Sequence, residues 1–351
     1  MVVNYGRDIV KATVDALNAS DIMQHLDRQY SVAIKPNLVV ARPASEGATT
    51  HPEVVEGILL FLKSQNVSNL SIIESAWAGE DTARAFKICG YEALGKKYGA
   101  ACIDLKKDAT VLLKRGGMEI RVCKTALETD FLINVPVLKA HCQTKLTCCM
   151  KNLKGCIPDN EKRRFHAMGL HKPIAALNAL VKTGYCVVDG ICGDLDFEEG
   201  GNPVEANRII AGANPVLVDS YCARLLGYEP EEIGYLSLAK SMGLGDFFSK
   251  ETKLIELNTG NKPTGSKISS RLAERYKKFI DERDACTACY AALIHALHRL
   301  GKTPPETIHI GQGFKGEQEN GTGIGNCTGG FSRCVKGCPP KAADIIKFLY
   351  A

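Results

Sequence analysis

Short apolar runs alternate with amphipathic segments along the first 250 residues. A β-branched run followed by a turn predicts a strand, and apolar positions spaced three and four apart predict a helix. The predicted strands are 31–39, 69–74, 101–105, 131–138, 185–188 and 208–211. The predicted helices are 53–62, 81–98, 216–226 and 231–241. Because helices separate the strands, the pattern predicts an α/β fold with a mostly parallel sheet and flanking helices.

Three segments depart from this alternation. The runs 111–113 and 119–122, joined across Arg115-Gly116-Gly117, predict an inserted hairpin. Thr144 is a candidate cap for a helix that would carry Lys145 and Asn152 on one face. The stretch 260–267 is rich in Gly, Pro and Ser and precedes a charged helix predicted over 271–284. We therefore expect an α/β domain over 1–262 and a C-terminal cysteine-rich segment over 263–351, in which Cys286, Cys289, Cys327, Cys334 and Cys338 indicate an iron–sulfur site.

Composition narrows the functional classes. The chain has 351 residues, with 44 Lys and Arg against 39 Asp and Glu, so the net charge of +5 disfavours nucleic-acid binding. We expect a cytoplasmic protein, because no secretory signal and no membrane span are evident. Its 15 cysteines are too dilute for a disulfide scaffold, and in a reducing compartment they indicate metal ligands, catalytic thiols or buried small residues.

Five cysteines fall within the 53 residues from Cys286 to Cys338. A C-x-x-C pair places two thiolates on one helical turn, and distant cysteines among glycines can complete an iron–sulfur site. Prolines after Cys338 suit the first turn of a helix over 341–350, which would stabilise the thiolate of Cys338. The predicted [4Fe–4S] ligands are Cys286, Cys289, Cys327 and Cys338. Cys334 is the reserve ligand, or a catalytic thiol beside the cluster.

Two alternatives to the cluster stay open. Four thiolates also suit zinc, although zinc ribbons usually carry two compact C-x-x-C knuckles. The cysteines could also be buried packing residues. Residues 311–316 spell G-x-G-x-x-G, but no apolar helix follows, so we interpret this run as a loop over the cluster rather than a dinucleotide site.

A basic segment follows the strand predicted over 131–138. Its position at the carboxyl edge of a parallel sheet suits recognition of a carboxylate or phosphate, and the alternative is a solvated basic face. With Lys35, the predicted anion-binding residues are Lys139, Lys145, Lys151, Asn152 and Lys154. His141 and His166 are candidates for proton transfer. The cysteines of this segment, Cys142, Cys148, Cys149 and Cys156, are interpreted as small buried residues, with a second metal site as the alternative.

Several motifs together resemble the domain of unknown function 362 family. They are Lys35-Pro36-Asn37-Leu38, Thr50-His51-Pro52-Glu53, the stretch from Pro136 to Gly155, Asp189-Gly190 with 199–203, and Asn214-Pro215-Val216 with 219–227. The resemblance implies an iron–sulfur protein typical of anaerobic prokaryotes, without a shared reaction to transfer. The C-x-x-C-x-x-C-x-x-x-C-P run of ferredoxins is absent from this chain, so the cluster site would be of another kind.

We therefore expect an iron–sulfur oxidoreductase that passes electrons from a ferredoxin-like donor to a small anionic substrate. One alternative is a non-catalytic electron-transfer or cluster-carrier protein that docks an acidic ferredoxin-like partner. Another is a transferase in which the cluster is structural. Nucleic acid and membrane are not expected partners, and the sequence leaves homo-oligomerisation open.

Overall fold

A computed structural model of the chain describes residues 1–115, 117–141, 143–195, 203–263 and 272–350. The strands are β1 Val2–Tyr5, β2 Val32–Pro36, β3 Leu70–Glu74, β4 Ala101–Asp104, β5 Thr110–Arg115, β6 Met118–Cys123, β7 Phe131–Val135, β8 Lys139–His141, β9 Lys145–Thr147, β10 Tyr185–Asp194, β11 Pro203–Gly212, β12 Ile255–Leu257, β13 Ile280–Glu282, β14 Ile308–Ile310, β15 Thr322–Ile324 and β16 Arg333–Val335. The α-helices are α1 Ile9–Asn18, α2 Pro52–Ser64, α3 Thr82–Ile88, α4 Tyr91–Tyr98, α5 Lys124–Glu128, α6 Cys149–Asn152, α7 Asp159–Met168, α8 His171–Asn178, α9 Pro215–Leu225, α10 Gly234–Ser241, α11 Leu272–Lys277, α12 Thr287–Leu300 and α13 Ala342–Tyr350.

The described residues group into two compact units. The first unit contains the described residues of 1–140, 146–194 and 203–263. The second unit contains the described residues of 141–145, residue 195 and 272–350. The domain boundary predicted after residue 262 stays a prediction, because residues 264–271 lie outside the described residues.

The first unit is built on an eight-stranded sheet in the order β12-β1-β11-β10-β7-β2-β3-β4. Five of its seven strand pairs are parallel, and β11 is antiparallel to both β1 and β10. This confirms the predicted mixed α/β fold with a large, mostly parallel sheet. The sequence patterns did not predict the edge strand β12 or its neighbour β1, which are only three and four residues long.

Successive side chains of the central strands point to opposite faces of the sheet and pack into two different cores. Ala33 and Leu132 belong to the core on the face covered by α6, α8, α9 and α10. Ile34 and Ile133 belong to the core on the face covered by α1, α2, α3 and α4. Since strand side chains alternate with period two, a continuous apolar run is what a sheet with helices on both faces requires.

The segment predicted as one helix over 81–98 is two helices. The structure ends α3 at Ile88 and starts α4 at Tyr91, with Gly90 between them at φ +83°. Glycine adopts this left-handed conformation without a steric penalty, so the chain turns there instead of continuing the helix. The hairpin predicted around residue 116 is present as β5 and β6.

The helix predicted to start at Thr144 is wrong. The chain forms the short strands β8 and β9 instead, and the N–H of Thr144 donates to Nδ1 of His141 at 3.1 Å. Lys145 has φ +62°, which ends any helical path at that residue. The helix begins only at Cys149, so Lys145 and Asn152 do not share a helical face.

The second unit contains a four-stranded, wholly parallel sheet in the order β13-β14-β15-β16. Apolar side chains of α12 and α13, including Leu293, Leu297 and Ile345, form its core. The charged helix predicted over 271–284 is shorter than expected, because Ile280 and Asp281 pair with Ile308 and His309 as strands. None of the described helices has the length and apolar character needed to cross a membrane.

Candidate functional site

Three segments that directly follow strands of the second unit's sheet contain a cysteine, and all three lie at the same edge of that sheet. Cys286 follows β13, Cys327 follows β15 and Cys338 follows β16, each within four residues of the end of its strand. Because these strands are parallel, their carboxyl ends meet at one edge, where open α/β sheets usually bind ligands. The structure therefore brings together cysteines that are up to 52 positions apart in sequence.

Cys286 and Cys289 occupy the first turn of α12. Cys286 is the N-cap residue, and the side chain of Cys289 lies three residues further along the same face. Hydrogen bonds from the thiol and backbone N–H of Cys289 lower the pKa of the Cys286 thiol to about 6, even though burial opposes this. The helix N-terminus thus favours a thiolate at Cys286, the form that binds metals.

The other two predicted ligands face the same pair. The hydrogen bond with Cys286, burial, and the negative charges of Cys286, Cys338 and Cys327 raise the pKa of Cys289. Burial and the negative charges of Cys286 and Cys338 likewise raise the pKa of Cys327. Gly325 passes close to the group, at φ +92°, and a Cβ there would lie 3.5 Å from Sγ of Cys289. A glycine is needed at this position for the backbone conformation.

Cys338 does not lie at a helix N-terminus as predicted. It is exposed, its peptide bond to Pro339 is cis, and α13 begins only at Ala342. The second proline therefore does not open the helix directly. The thiolate-stabilising helix end belongs to Cys286 instead, and the C-x-x-C spacing at the start of an apolar helix was the available signal.

The thiols of this site can be compared with the ligands of a single metal ion. Among the described residues, no three of Cys286, Cys289, Cys327, Cys334 and Cys338 have all their sulfur atoms within 4.8 Å of one another. A tetrahedral zinc ion with Zn–S bonds of about 2.3 Å would hold its sulfurs about 3.8 Å apart. Among the described residues, therefore, no three of these thiols are placed as the ligands of one zinc ion would be.

Lys315 and Cys334 lie in the same unit but differ in their surroundings. Lys315 follows β14. Its positive charge helps to lower the pKa of Cys286 and opposes the rise in the pKa of Cys327. Cys334 lies on β16, where its sulfur contacts Oγ1 of Thr328 at 3.6 Å and the carbonyl oxygen of Gly325 at 3.5 Å. Its roles as reserve ligand or catalytic thiol stay predictions.

In the first unit, three predicted anion-binding residues meet around Asn37. Asn37 donates to Oδ1 of Asn152 at 2.9 Å and accepts from Nζ of Lys139 at 3.5 Å. Lys35 donates to the same Asn152 oxygen at 3.3 Å and to Glu74 at 3.0 Å. Lys35, Lys139 and Asn152 are all buried, so a ligand here would have to replace existing internal partners.

The remaining predicted residues occupy separate places. Nζ of the buried Lys151 donates to Oγ1 of Thr147 at 3.1 Å, and Nζ of Lys154 lies 2.9 Å from Nε2 of His166. His141 and Lys145 belong to the second unit, where His141 accepts the N–H of Thr144 and Lys145 is half-buried. The anion-binding and proton-transfer roles of these residues stay predictions. Cys142 lies outside the described residues.

Sequence reasoning did not identify two buried polar contacts beside this network. The carboxylate of Asp189 accepts from the backbone of His51 at 2.7 Å and lies 2.8 Å from Nδ1 of its ring. The ammonium group of Lys162 donates to the carbonyl oxygens of Ser75 and Ala76. An isolated acid within a long apolar strand was the signal for Asp189, since such a group must find a partner on burial.

Three comparisons place the chain among known proteins. Residues 32–224 match the family described as domain of unknown function (DUF362). The thylakoid-associated protein sll1697 of Synechocystis sp. is 24% identical over 220 residues, which are 61% of this chain and 68% of that protein. The lactate racemase apoprotein of Thermoanaerobacterium thermosaccharolyticum superposes with a TM-score of 0.41 and 12% identity, over 68% of this chain and 56% of that one.

The family match covers more than half of the chain, including β2, β3, β7 and the basic segment that follows them. The cysteines from Cys286 to Cys338 lie beyond the matched residues. The chain belongs to the family of domain of unknown function 362.

Proposed function

We propose that the chain is an iron–sulfur redox protein whose [4Fe–4S] cluster is held by Cys286, Cys289, Cys327 and Cys338. The observation that carries this proposal is the convergence of these thiols at one edge of a parallel sheet. The helix end at Cys286 favours the thiolate, and Lys315 offsets part of the negative charge that four thiolates would bring together. When bound, the cluster would supply one-electron chemistry.

The first experiment tests cluster binding. Protein purified without oxygen should be brown, absorb near 400 nm and contain iron and sulfide at about four each per chain, as the cluster formula requires. Reduction should be reversible and yield a paramagnetic spectrum. A colourless protein that holds zinc at this site would contradict the proposal.

Matched variants test the ligand set. Cys327→Ser should lose most of the iron, because a serine oxygen is a poor replacement for thiolate. Cys334→Ser is the control and should retain iron and sulfide. The reverse result would make Cys334 a ligand and overturn the proposed set.

We further propose that the protein is an enzyme that transfers electrons to a small carboxylate or phosphate bound near Lys139 and Lys151. Support comes from the buried cationic side chains that follow β7, beside the carboxyl edge of the large sheet. An acidic ferredoxin-like protein is the proposed electron donor.

Inorganic phosphate and a small dicarboxylate are suitable probes for this second proposal. Titration calorimetry should detect binding to the wild type and at least a tenfold weaker association with Lys151→Met, since one charge-assisted contact contributes about 1.5 to 3 kcal/mol. Lys182→Met, at a position outside this network, is the control. Unchanged binding by Lys151→Met would remove Lys151 from the site, and transfer of the cluster to apo-ferredoxin would favour a carrier instead.

A further inference from the structure

A second group of cysteines is buried in the first unit, separate from the proposed cluster ligands. Cys148 follows β9, and Cys149 is the first residue of α6. Asp219 and Cys222 lie three residues apart on α9 and therefore project from one face of that helix. All four side chains are fully buried.

Three of the four ligand atoms are close enough to share one ion. The sulfur atoms of Cys148 and Cys149 are 3.9 Å apart, against about 3.8 Å for two thiolates on a tetrahedral zinc with Zn–S bonds of about 2.3 Å. One carboxylate oxygen of Asp219 lies with them in a group whose members are all within 4.8 Å of each other. The thiol of Cys222, one turn after Asp219 on α9, hydrogen-bonds with that of Cys148 and is the candidate fourth donor, although its sulfur lies outside the group of three.

Among the described residues, Asp219 has no cationic hydrogen-bond partner. Asp219 accepts from the backbone N–H of Cys149 at 2.7 Å and that of Met150 at 3.0 Å, and both donors are neutral. The positive charge of Arg208 reaches Cys222. The Nε of Arg208, however, donates to the carbonyl oxygen of Ala206 rather than to Asp219. Buried carboxylates are normally paired with a cation or bound to a metal, because burial without compensation is costly.

We propose that Cys148, Cys149, Cys222 and Asp219 bind one zinc ion that joins α6 to α9. Three thiolates exclude magnesium and calcium, which prefer oxygen ligands, and the carboxylate favours zinc over copper(I). Four protein ligands without a solvent position describe a structural site. Because the ligands are buried, the ion enters during folding and resists chelators in the native protein.

The test is metal analysis of the intact protein purified without oxygen. We expect one zinc per chain in addition to iron. Cys222→Ser and Asp219→Asn should each lower zinc to below a tenth of that amount. Cys123→Ser is the matched control, because Cys123 is equally buried but its thiol contacts the carbonyl oxygen of Leu105. Cys327→Ser should retain zinc while losing iron, which separates this site from the proposed cluster.

A second measurement covers variants that fail to fold. Wild-type protein refolded with Co²⁺ should show the strong thiolate-to-cobalt charge-transfer bands of a tetrahedral site, and Cys327→Ser should show the same bands. Wild-type protein without stoichiometric zinc, or without these bands, would overturn the proposal. Another metal lost in the same variants would overturn the choice of zinc.

Discussion

Lys35 illustrates how strongly one buried charge depends on its neighbours. Its ammonium group is fully buried and donates to Glu74 at 3.0 Å, to the carbonyl oxygen of Pro36 at 3.0 Å and to Asn152. Glu74 in turn accepts the N–H groups of Leu38 and Ser75. The pair therefore fixes the loops that follow β2 and β3 through one ionic contact.

Removing the positive partner should destabilise the fold strongly. We expect Lys35→Met to lower the free energy of unfolding by about 3 to 5 kcal/mol, because Glu74 stays buried without its cation. The double variant Lys35→Met with Glu74→Gln should recover part of the loss. Urea unfolding measures these free energies, with Lys11→Met as the control, because the exposed Lys11–Asp15 pair should contribute little to stability.

The pair of His51 and Asp189 predicts a pH dependence. Burial alone would lower the pKa of His51, but the charge and hydrogen bond of Asp189 outweigh burial and raise the pKa above its ordinary value. A raised folded-state pKa means that the stabilisation is complete below about pH 6.5 and is lost as pH rises through the folded-state value. His51→Gln should lack this decline. Unfolding free energies measured over a pH series would show it, and parallel curves for the two proteins would contradict the assignment.

At the scale of elements, the sequence predicts those helices and strands whose pattern of apolar and polar residues follows from how their faces are buried. The runs that became β2, β3 and β7 are mostly apolar at successive positions because helices cover both faces of their sheet. The failures have local causes. Gly90 divides one periodic stretch into α3 and α4, and the left-handed backbone of Lys145 prevents the helix expected there.

The junction at Gly90 can be tested directly. Gly90→Ala should lower the free energy of unfolding by about 1 to 2 kcal/mol, because a Cβ is strained at φ +83° although its nearest neighbour, Pro52, is 3.8 Å away. Gly260→Ala is the control, since a Cβ there would meet nothing within 4 Å and its φ is not positive. Equal stability of both variants would mean that the junction relaxes without cost.

For the candidate site, the sequence predicts cysteine ligands but not the residues that surround them. The C-x-x-C spacing and the glycine content mark Cys286, Cys289, Cys327 and Cys338, whereas the role of Lys315 depends on β14 pairing with β15, which no local pattern reveals. The hydrogen bonds that Asp219 accepts from Cys149 and Met150, and that Asp189 accepts from His51, likewise join residues at least 69 positions apart. Such contacts are fixed by the topology of the sheet and have no local sequence signature.

At the scale of the whole molecule, the two units have separate cores. That of the second unit is small, and strands β13 to β16 are only three residues each. Small cores commonly depend on a metal for stability. We expect removal of the cluster to speed amide exchange in 280–338 while β2, β3 and β7 stay protected. Hydrogen exchange with mass spectrometry measures this, and uniform loss of protection would show that the units unfold together.

The exposed position of Cys338 has a consequence for reactivity. Electron tunnelling falls off steeply with distance, so the proposed cluster, held partly by a surface ligand, would need no internal relay to meet a protein partner. The same exposure would admit dioxygen, which attacks reduced clusters. Fast exchange with a partner and sensitivity to air would therefore have one origin, and shielding this edge should slow both.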